Sequence, residues 1–302
     1  MPKKFLAVCL NPVIQKTLVF DGLAIDHVNR ARIARTDASG KGINVARVLS
    51  QRGAEVAHLT HSGGANREWF LSLCAADGLD IRWVDSGSEA RICTTVIDAA
   101  AHTATELVEE ASPIGPGTEE RLLDLYSATI PGFDVLVVSG TKATGYSDRV
   151  IPAMVERAAA HGALIVLDIK GKDLLACLPF RPAVVKPNLS EFLGTFPAPA
   201  GSGEGEALRE HVRAAAASLK ERYGTELVIT RGGKPIWFNE GGAAAEEPIV
   251  PAKAINPTGS GDSFTAGLAF ALANGATLRE AIADGARMGA LNAENLKPGS
   301  IR

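Results

Sequence analysis

Residues 256 to 271 read Asn256-Pro-Thr-Gly-Ser-Gly-Asp-Ser-Phe-Thr-Ala-Gly-Leu-Ala-Phe-Ala271, a glycine-bracketed turn that delivers one aspartate, Asp262, into the first turn of an apolar, alanine-rich helix. Gly259 and Gly261 let the backbone curl tightly, so the N–H groups of about residues 259 to 262 converge on one point. Behind that point lies a helix N-terminus, whose unpaired amides and positive macrodipole end make a site for an anion. A carboxylate at the edge of such a nest can take a proton from a hydroxyl attacking a phosphoryl group bound nearby. The stretch therefore points to phosphoryl transfer to an alcohol. The same residues also suit an ordinary helix entry, with Asp or Ser as N-cap, and the surrounding sequence has to decide.

Outward from this turn, short runs of Val, Ile and Leu alternate with helix-period segments. Phe5 to Leu10, Val135 to Ser139, Leu164 to Asp168, Ala183 to Lys186 and Leu227 to Thr230 read as buried parallel strands, whose two covered faces remove the need to alternate. Glu119 to Ala128, Val150 to His161, Glu206 to Tyr223 and Ser263 to Ala273 carry helical spacing and good helix formers. The alternation predicts an α/β fold, a doubly wound and mainly parallel sheet flanked by helices, with ligands at the C-terminal ends of its strands. Residues 1–302 read as one domain. Lys16 to Thr36 and Arg91 to Val108 break the rhythm, being rich in β-branched residues with polar and apolar positions alternating, as in half-exposed antiparallel strands. They are expected to pair as a small sheet over the main sheet edge, within inserted segments of about 11–36 and 91–108. A lid is one reading, and a structural hairpin the other. Phe196 to Gly205, with its Pro, Gly and Ser residues, reads as a surface loop.

With 46% hydrophobic residues in a 302-residue chain, a large core is affordable. Lys and Arg number 31 against 34 Asp and Glu, a balance that argues against a nucleic-acid surface, so a phosphorylated ligand must be met by local cations. Cys9, Cys74, Cys93 and Cys177 are scattered, without CxxC or histidine partners at metal spacing, and reduced, mostly buried thiols in a cytoplasmic protein are expected. The apolar run after Met-Pro-Lys-Lys stops at Asn11-Pro12 and reads as a first strand, not a signal peptide. No apolar stretch approaches the roughly 20 residues that span a bilayer.

A second glycine cluster, Ser39-Gly40-Lys41-Gly42-Ile43-Asn44-Val45-Ala46-Arg47, opens another helix, expected to run to about Gly53. It is no nucleotide P-loop, since Lys41 is followed by Gly and the leading Gly is missing. Its glycines permit close approach to a small ligand, with Lys41 and Asn44 as donors.

Together, the two clusters resemble the paired signatures of the PfkB, or ribokinase-like, sugar kinases. The resemblance covers essentially the whole chain, with Leu10-Asn11-Pro12, Val28-Asn29-Arg30, Thr105-Glu106-Leu107, Val138-Ser139-Gly140, Asp168-Ile169-Lys170-Gly171 and Lys186-Pro187-Asn188-Leu189-Ser190-Glu191 in the expected order. It is strongest to the branch of 1-phosphofructokinases and tagatose-6-phosphate kinases. The resemblance implies Asp262 as catalytic base, with Gly259, Ser260 and Gly261 as anion hole. It implies ATP and Mg²⁺ as cofactors, with Asn188 and Glu191 organising the metal and its waters. Lys186, Asn188, Thr230, Gly233, Thr258 and Asn292 match the nucleotide-binding set. Gln15, Arg30, Gly40, Lys41, Asn44, Arg91 and Ser139 match substrate-contacting positions, with Arg91 and Arg30 suited to a substrate phosphate by their fixed fork of donors. A homodimer formed through the lid sheet is implied as well.

Departures from the family pattern bear on the substrate. Gln15 stands where that branch has an aspartate for sugar hydroxyls; Thr141-Lys142-Ala143 replaces Ser-Leu-Pro, Ile169-Lys170 replaces Thr-Ser, and Ser39 replaces a glycine. Lys142 and Lys170 either favour a more anionic substrate or face solvent. The leading expectation is an ATP-dependent kinase acting on a sugar phosphate by direct in-line transfer. The alternatives are a kinase for an unphosphorylated sugar or nucleoside, and a non-catalytic sensor on the same scaffold.

Overall fold

Successive residues of the first strand enter different cores: Leu6 and Val8 pack on one side of the sheet, Phe5 and Ala7 on the other. A strand covered on both faces needs this unbroken apolar run. The structure, a computed structural model, describes residues 2–198, 205–241 and 243–302, so most of the loop expected over 196–205 lies outside the described residues. In chain order the first elements are β1 (Lys4–Val8), β2 (Val13–Phe20), β3 (Ile33–Ser39), α1 (Lys41–Gln51), β4 (Glu55–Ser62), α2 (Arg67–Ala76), β5 (Asp80–Asp85), β6 (Arg91–Asp98) and β7 (Thr103–Leu107). Next come α3 (Thr118–Thr129), β8 (Val135–Ser139), α4 (Val150–Ala160), β9 (Leu164–Asp168), α5 (Gly171–Cys177), β10 (Val184–Val185), α6 (Leu189–Thr195) and α7 (Glu206–Tyr223). The chain continues through β11 (Glu226–Arg231), β12 (Lys234–Glu240), β13 (Ala243–Glu247), α8 (Ser260–Ala273) and α9 (Leu278–Ala293).

The main sheet has nine strands in the order β13, β12, β11, β10, β9, β8, β1, β4, β5. From β5 to β11 every pairing is parallel, and β12 and β13 close that edge as an antiparallel hairpin. Helices cover both faces, the expected architecture. The order reverses at β1, with β8 on one side and β4 on the other, and at such a switch point loops leave in opposite directions and open a crevice.

The second sheet has four strands in the order β3, β2, β6, β7. Its outer pairs are antiparallel, but β2 and β6 run parallel, against the expectation of antiparallel strands throughout. The reason is topological: β2 follows β1 and β6 follows β5, two parallel strands of the main sheet, so both enter the small sheet from the same side. The intervening elements supply the long crossover that a parallel pair requires. All four cysteines are free and buried. Among the described residues no helix is long and apolar enough to cross a membrane.

Candidate active site

Helix α8 starts at Ser260, earlier than its periodicity suggests, because Gly259 takes the N-cap position with a φ of 85° that a side chain would resist. No side chain caps this helix. Among the described residues no group accepts from the N–H of Gly259, Gly261 or Asp262, whereas Ser260 N–H donates to Pro257 O at 3.1 Å. The turn therefore presents three unpaired donors, and the Ser260 amide is already engaged. Behind it, buried Asn292 donates to Thr258 O (2.9 Å) and Ser260 Oγ (3.1 Å) and accepts from Ser300 N–H, pinning the turn to the segment around residue 300.

Asp262 is the third residue of α8, so its carboxylate emerges beside these donors. It is 6% exposed, and Oδ2 accepts from Asn44 Nδ2 at 2.7 Å. An aspartate bonded across to another helix is not serving as the N-cap of its own. Burial pushes its carboxyl up to about 7, with Lys41 opposing and the charge of Asp168 assisting. A base near neutrality can hold and release a proton under ordinary conditions.

Asp168, at the C-terminal end of β9, organises the cations. Its carboxylate lies 3.3 Å from Lys186 Nζ and 3.7 Å from Lys41 Nζ, and accepts from Ser139 Oγ at 3.0 Å. Burial works to raise Asp168, yet the two lysines and Ser139 hold it below the usual carboxylate range. Lys41 is raised chiefly by Asp168 and stays charged; it also reaches Glu191 Oε1 at 3.0 Å. The sequence motif contained Asp168 but assigned it no part; its signal was an acidic residue ending a buried parallel strand.

Asn188 and Glu191 form a capping box at the start of α6: Asn188 Oδ1 accepts from Glu191 N–H (2.9 Å), and Glu191 Oε2 from Asn188 N–H (3.0 Å). At the small-sheet end, Gln15 spends its amide donors on Thr95 Oγ1 (3.0 Å) and Lys16 O (3.2 Å), leaving Oε1 as an acceptor. Arg91 donates to Glu109 O at 3.1 Å, while its buried Nε has no partner.

These groups line one cavity of about 750 Å³, a nucleotide-sized space. Of the residues singled out in the sequence, Asp262, Gly259, Ser260, Gly261, Gln15, Gly40, Lys41, Asn44, Arg91, Lys186, Asn188, Glu191, Thr230, Gly233 and Thr258 come together on its walls. Three do not. Ser139 is buried under Asp168, Asn292 supports the turn from behind, and Arg30 is exposed in the segment between β2 and β3. Sequence reading missed the apolar wall of Ile236, Ile249, Val250 and Ala290, which is scattered along the chain without a motif, and quoted Glu106 within a motif but gave no role to this residue, which accepts from Thr258 Oγ1 at 2.9 Å. A smaller cavity of about 150 Å³ adjoins it, sharing Lys41, Arg91, Asp168 and Glu191 and adding Asn11, Thr141 and Lys170. Lys142 lies outside both cavities, held by Asp173 and Asp148.

Comparison with known proteins agrees with this architecture. The profile of the pfkB family carbohydrate kinases matches residues 9–301. A mutant phosphofructokinase-2 from Escherichia coli superposes with a TM-score of 0.84 at 20% identity, covering 100% of this chain and 96% of that one. A possible 1-phosphofructokinase from Thermotoga maritima gives 0.84 at 19% identity, over 97% and 93%. Arabidopsis thaliana ribokinase, complexed with ribose and ATP, gives 0.72 at 15% identity, over 99% and 95%. These likenesses share the fold, and the profile match over nearly the whole sequence places the chain in the pfkB family of carbohydrate kinases.

Proposed function

We propose that the protein transfers the γ-phosphoryl group of ATP to a hydroxyl of a sugar phosphate, with Asp262 as the base. One observation carries the reading: the Asp262 carboxylate, fixed by Asn44 at 2.7 Å, opens on the same cavity as the unpaired amides of its turn and the cations Lys41, Lys186 and Arg91. The acceptor lies between the small sheet and Asp262, its hydroxyls meeting Gln15 Oε1 and its phosphate meeting the Arg91 guanidinium on the cavity wall. Lys170 adds a positive charge to the adjoining small cavity, fitting an anionic acceptor; Lys142 is neutralised by its own carboxylates. Asp262 takes the hydroxyl proton as the oxygen attacks in line, and the N–H groups of Gly259, Gly261 and Asp262 stabilise charge on the transferring group. Ile236, Ile249, Val250 and Ala290 offer the nucleotide base an apolar wall.

Mg²⁺, if bound with the nucleotide, would be held through its waters by Asn188 and Glu191 and would supply neutralisation of phosphate charge. The donor set fits an ion held through water: the Glu191 oxygens and Asn188 Oδ1 already serve Lys41 and the capping box, so direct ligation by that pair would dismantle it.

The neutral Gln15, together with Arg30 lying outside both cavities, favours a second reading, in which the acceptor is an unphosphorylated sugar or a nucleoside. ADP release measured with Mg·ATP across hexose phosphates, free sugars and nucleosides decides between them. Asp262→Asn should lower turnover by about 10²- to 10⁴-fold while ligand binding persists. Binding without turnover in the unaltered protein would instead identify a sensor. We further propose a homodimer formed through the small sheet, beside which Ile25 (94% exposed) and Val28 (82%) stand on the β2–β3 connection.

A further inference from the structure

Among the described residues Arg47 is the largest fully buried side chain, 2% exposed, and it sits three residues after Asn44 on α1. Burying a guanidinium is expensive unless its donors are satisfied, so what it bonds indicates why it is retained. Nε donates to Asp77 Oδ2 at 2.8 Å, one Nη to Pro298 O (2.7 Å) and Asn44 Oδ1 (3.0 Å), and the other Nη to Ala38 O. Asp77 also holds Lys297, which lies 3.5 Å from Asp37. None of these groups except Asn44 lines either cavity.

Asn44 has two ways to place its amide, differing by a flip that exchanges O and NH₂. A guanidinium has donors only, so Arg47 can bond Asn44 through the oxygen and never through the NH₂. With Oδ1 held by Arg47, and by Ser39 Oγ at 3.1 Å, the NH₂ has to face Asp262, which it meets at 2.7 Å. The flipped amide would set its oxygen against the carboxylate and its NH₂ against the guanidinium, two repulsions in a buried site.

We propose that Arg47 is a positioning residue for Asp262, fixing the orientation of the Asn44 amide so that it always donates to the carboxylate. This rests on the assignment of Asp262 as the base. The other charged groups facing Asp262 are Lys41 of α1, Asp168 at the end of β9 and Lys186 after β10, and none of them touches Asn44. Weakening the Asn44 donation removes a stabiliser of the carboxylate form, so the base should titrate at higher pH.

The test uses the whole protein with ¹⁵N-labelled asparagine side chains, the Asn44 amide being assigned by its loss in Asn44→Ala. In the unaltered protein that resonance should move as Asp262 titrates, and Asp262→Asn should abolish the movement. Arg47→Met should raise the midpoint by about one pH unit and shift the acidic limb of kcat/KM equally. Arg47→Lys, which keeps the buried charge but loses the fork and serves where Arg47→Met does not fold, should raise the midpoint in the same direction. In an Asn44→Ala background neither change should move the acidic limb further. An Asn44 resonance that titrates unchanged in Arg47→Lys overturns the proposal, as does an equal shift in Ser39→Ala, which would assign the orientation to the hydroxyl. Because the resonance reports Asn44 without turnover, absence of kinase activity would count against the assigned function and leave this result readable.

Discussion

Asp262 is kept where its charge is costly. A carboxyl raised to about 7 is protonated in the folded protein but ionised in the unfolded chain between about pH 4 and 7, so the stability it contributes is full below pH 4 and is lost as pH rises to 7. Asp262→Asn should therefore match the parent near pH 4 and exceed it above pH 7 by roughly 1 to 4 kcal/mol in urea unfolding. Equal stabilities at pH 8 would show that the group is not raised. The kinetic sign is opposite: kcat/KM should climb through pH 7 as the base ionises, and a profile flat from pH 5 to 8 would remove Asp262 from the proton transfer. A second residue acts on the same bond from behind. Gly299 has a φ of 61°, and a Cβ there would stand 2.3 Å from the Cβ of Asn44. Gly299→Ala should cost about 1 to 3 kcal/mol and lower kcat, measured by thermal unfolding and steady-state rates. An unchanged kcat would mean that Asn44 has room to move. Arg47 itself was legible only as the end of a motif, because the sequence carries the i, i+3 spacing with Asn44 but not the partners Asp77 and Pro298, which come from distant segments.

At the scale of elements, helix and strand existence was readable because their apolar periods differ, and α7, β8 and β9 fall at their expected bounds. What the sequence withheld was direction: whether β2 and β6 run parallel depends on where each re-enters in space, which no local pattern records. The same limit explains Ser139 and Asn292. The family resemblance placed both in the right neighbourhood, but burial turned their side chains toward Asp168 and the glycine turn. Arg91 opens β6 and lines both cavities, so the element delivers one guanidinium to the place where they adjoin. Arg91→Ala should raise KM for a phosphorylated acceptor at least tenfold, in line with loss of a charge-assisted hydrogen bond. An equal effect on phosphorylated and free sugars would dissociate Arg91 from the phosphate.

In the whole molecule, the cavity takes its lining from both sheets, and the β2–β3 connection and β7 bring exposed Ile25, Val28 and Leu107 to the surface. Ile25→Asp should shift a sedimentation-measured dimer toward monomer; a protein that is monomeric before the change disposes of the dimer. The parallel pairing of β2 with β6 has a wider consequence. Eight consecutive rungs, from Val13 against Arg91 to Phe20 against Asp98, yoke the strand that carries Gln15 to the strand that begins with Arg91. The two side chains proposed to meet the acceptor's hydroxyls and phosphate, fastened in this way, must travel together whenever the small sheet shifts. Any retuning of acceptor preference should then be transferable as a cassette of two strands, while the glycine turn and its aspartate stay behind on the larger sheet.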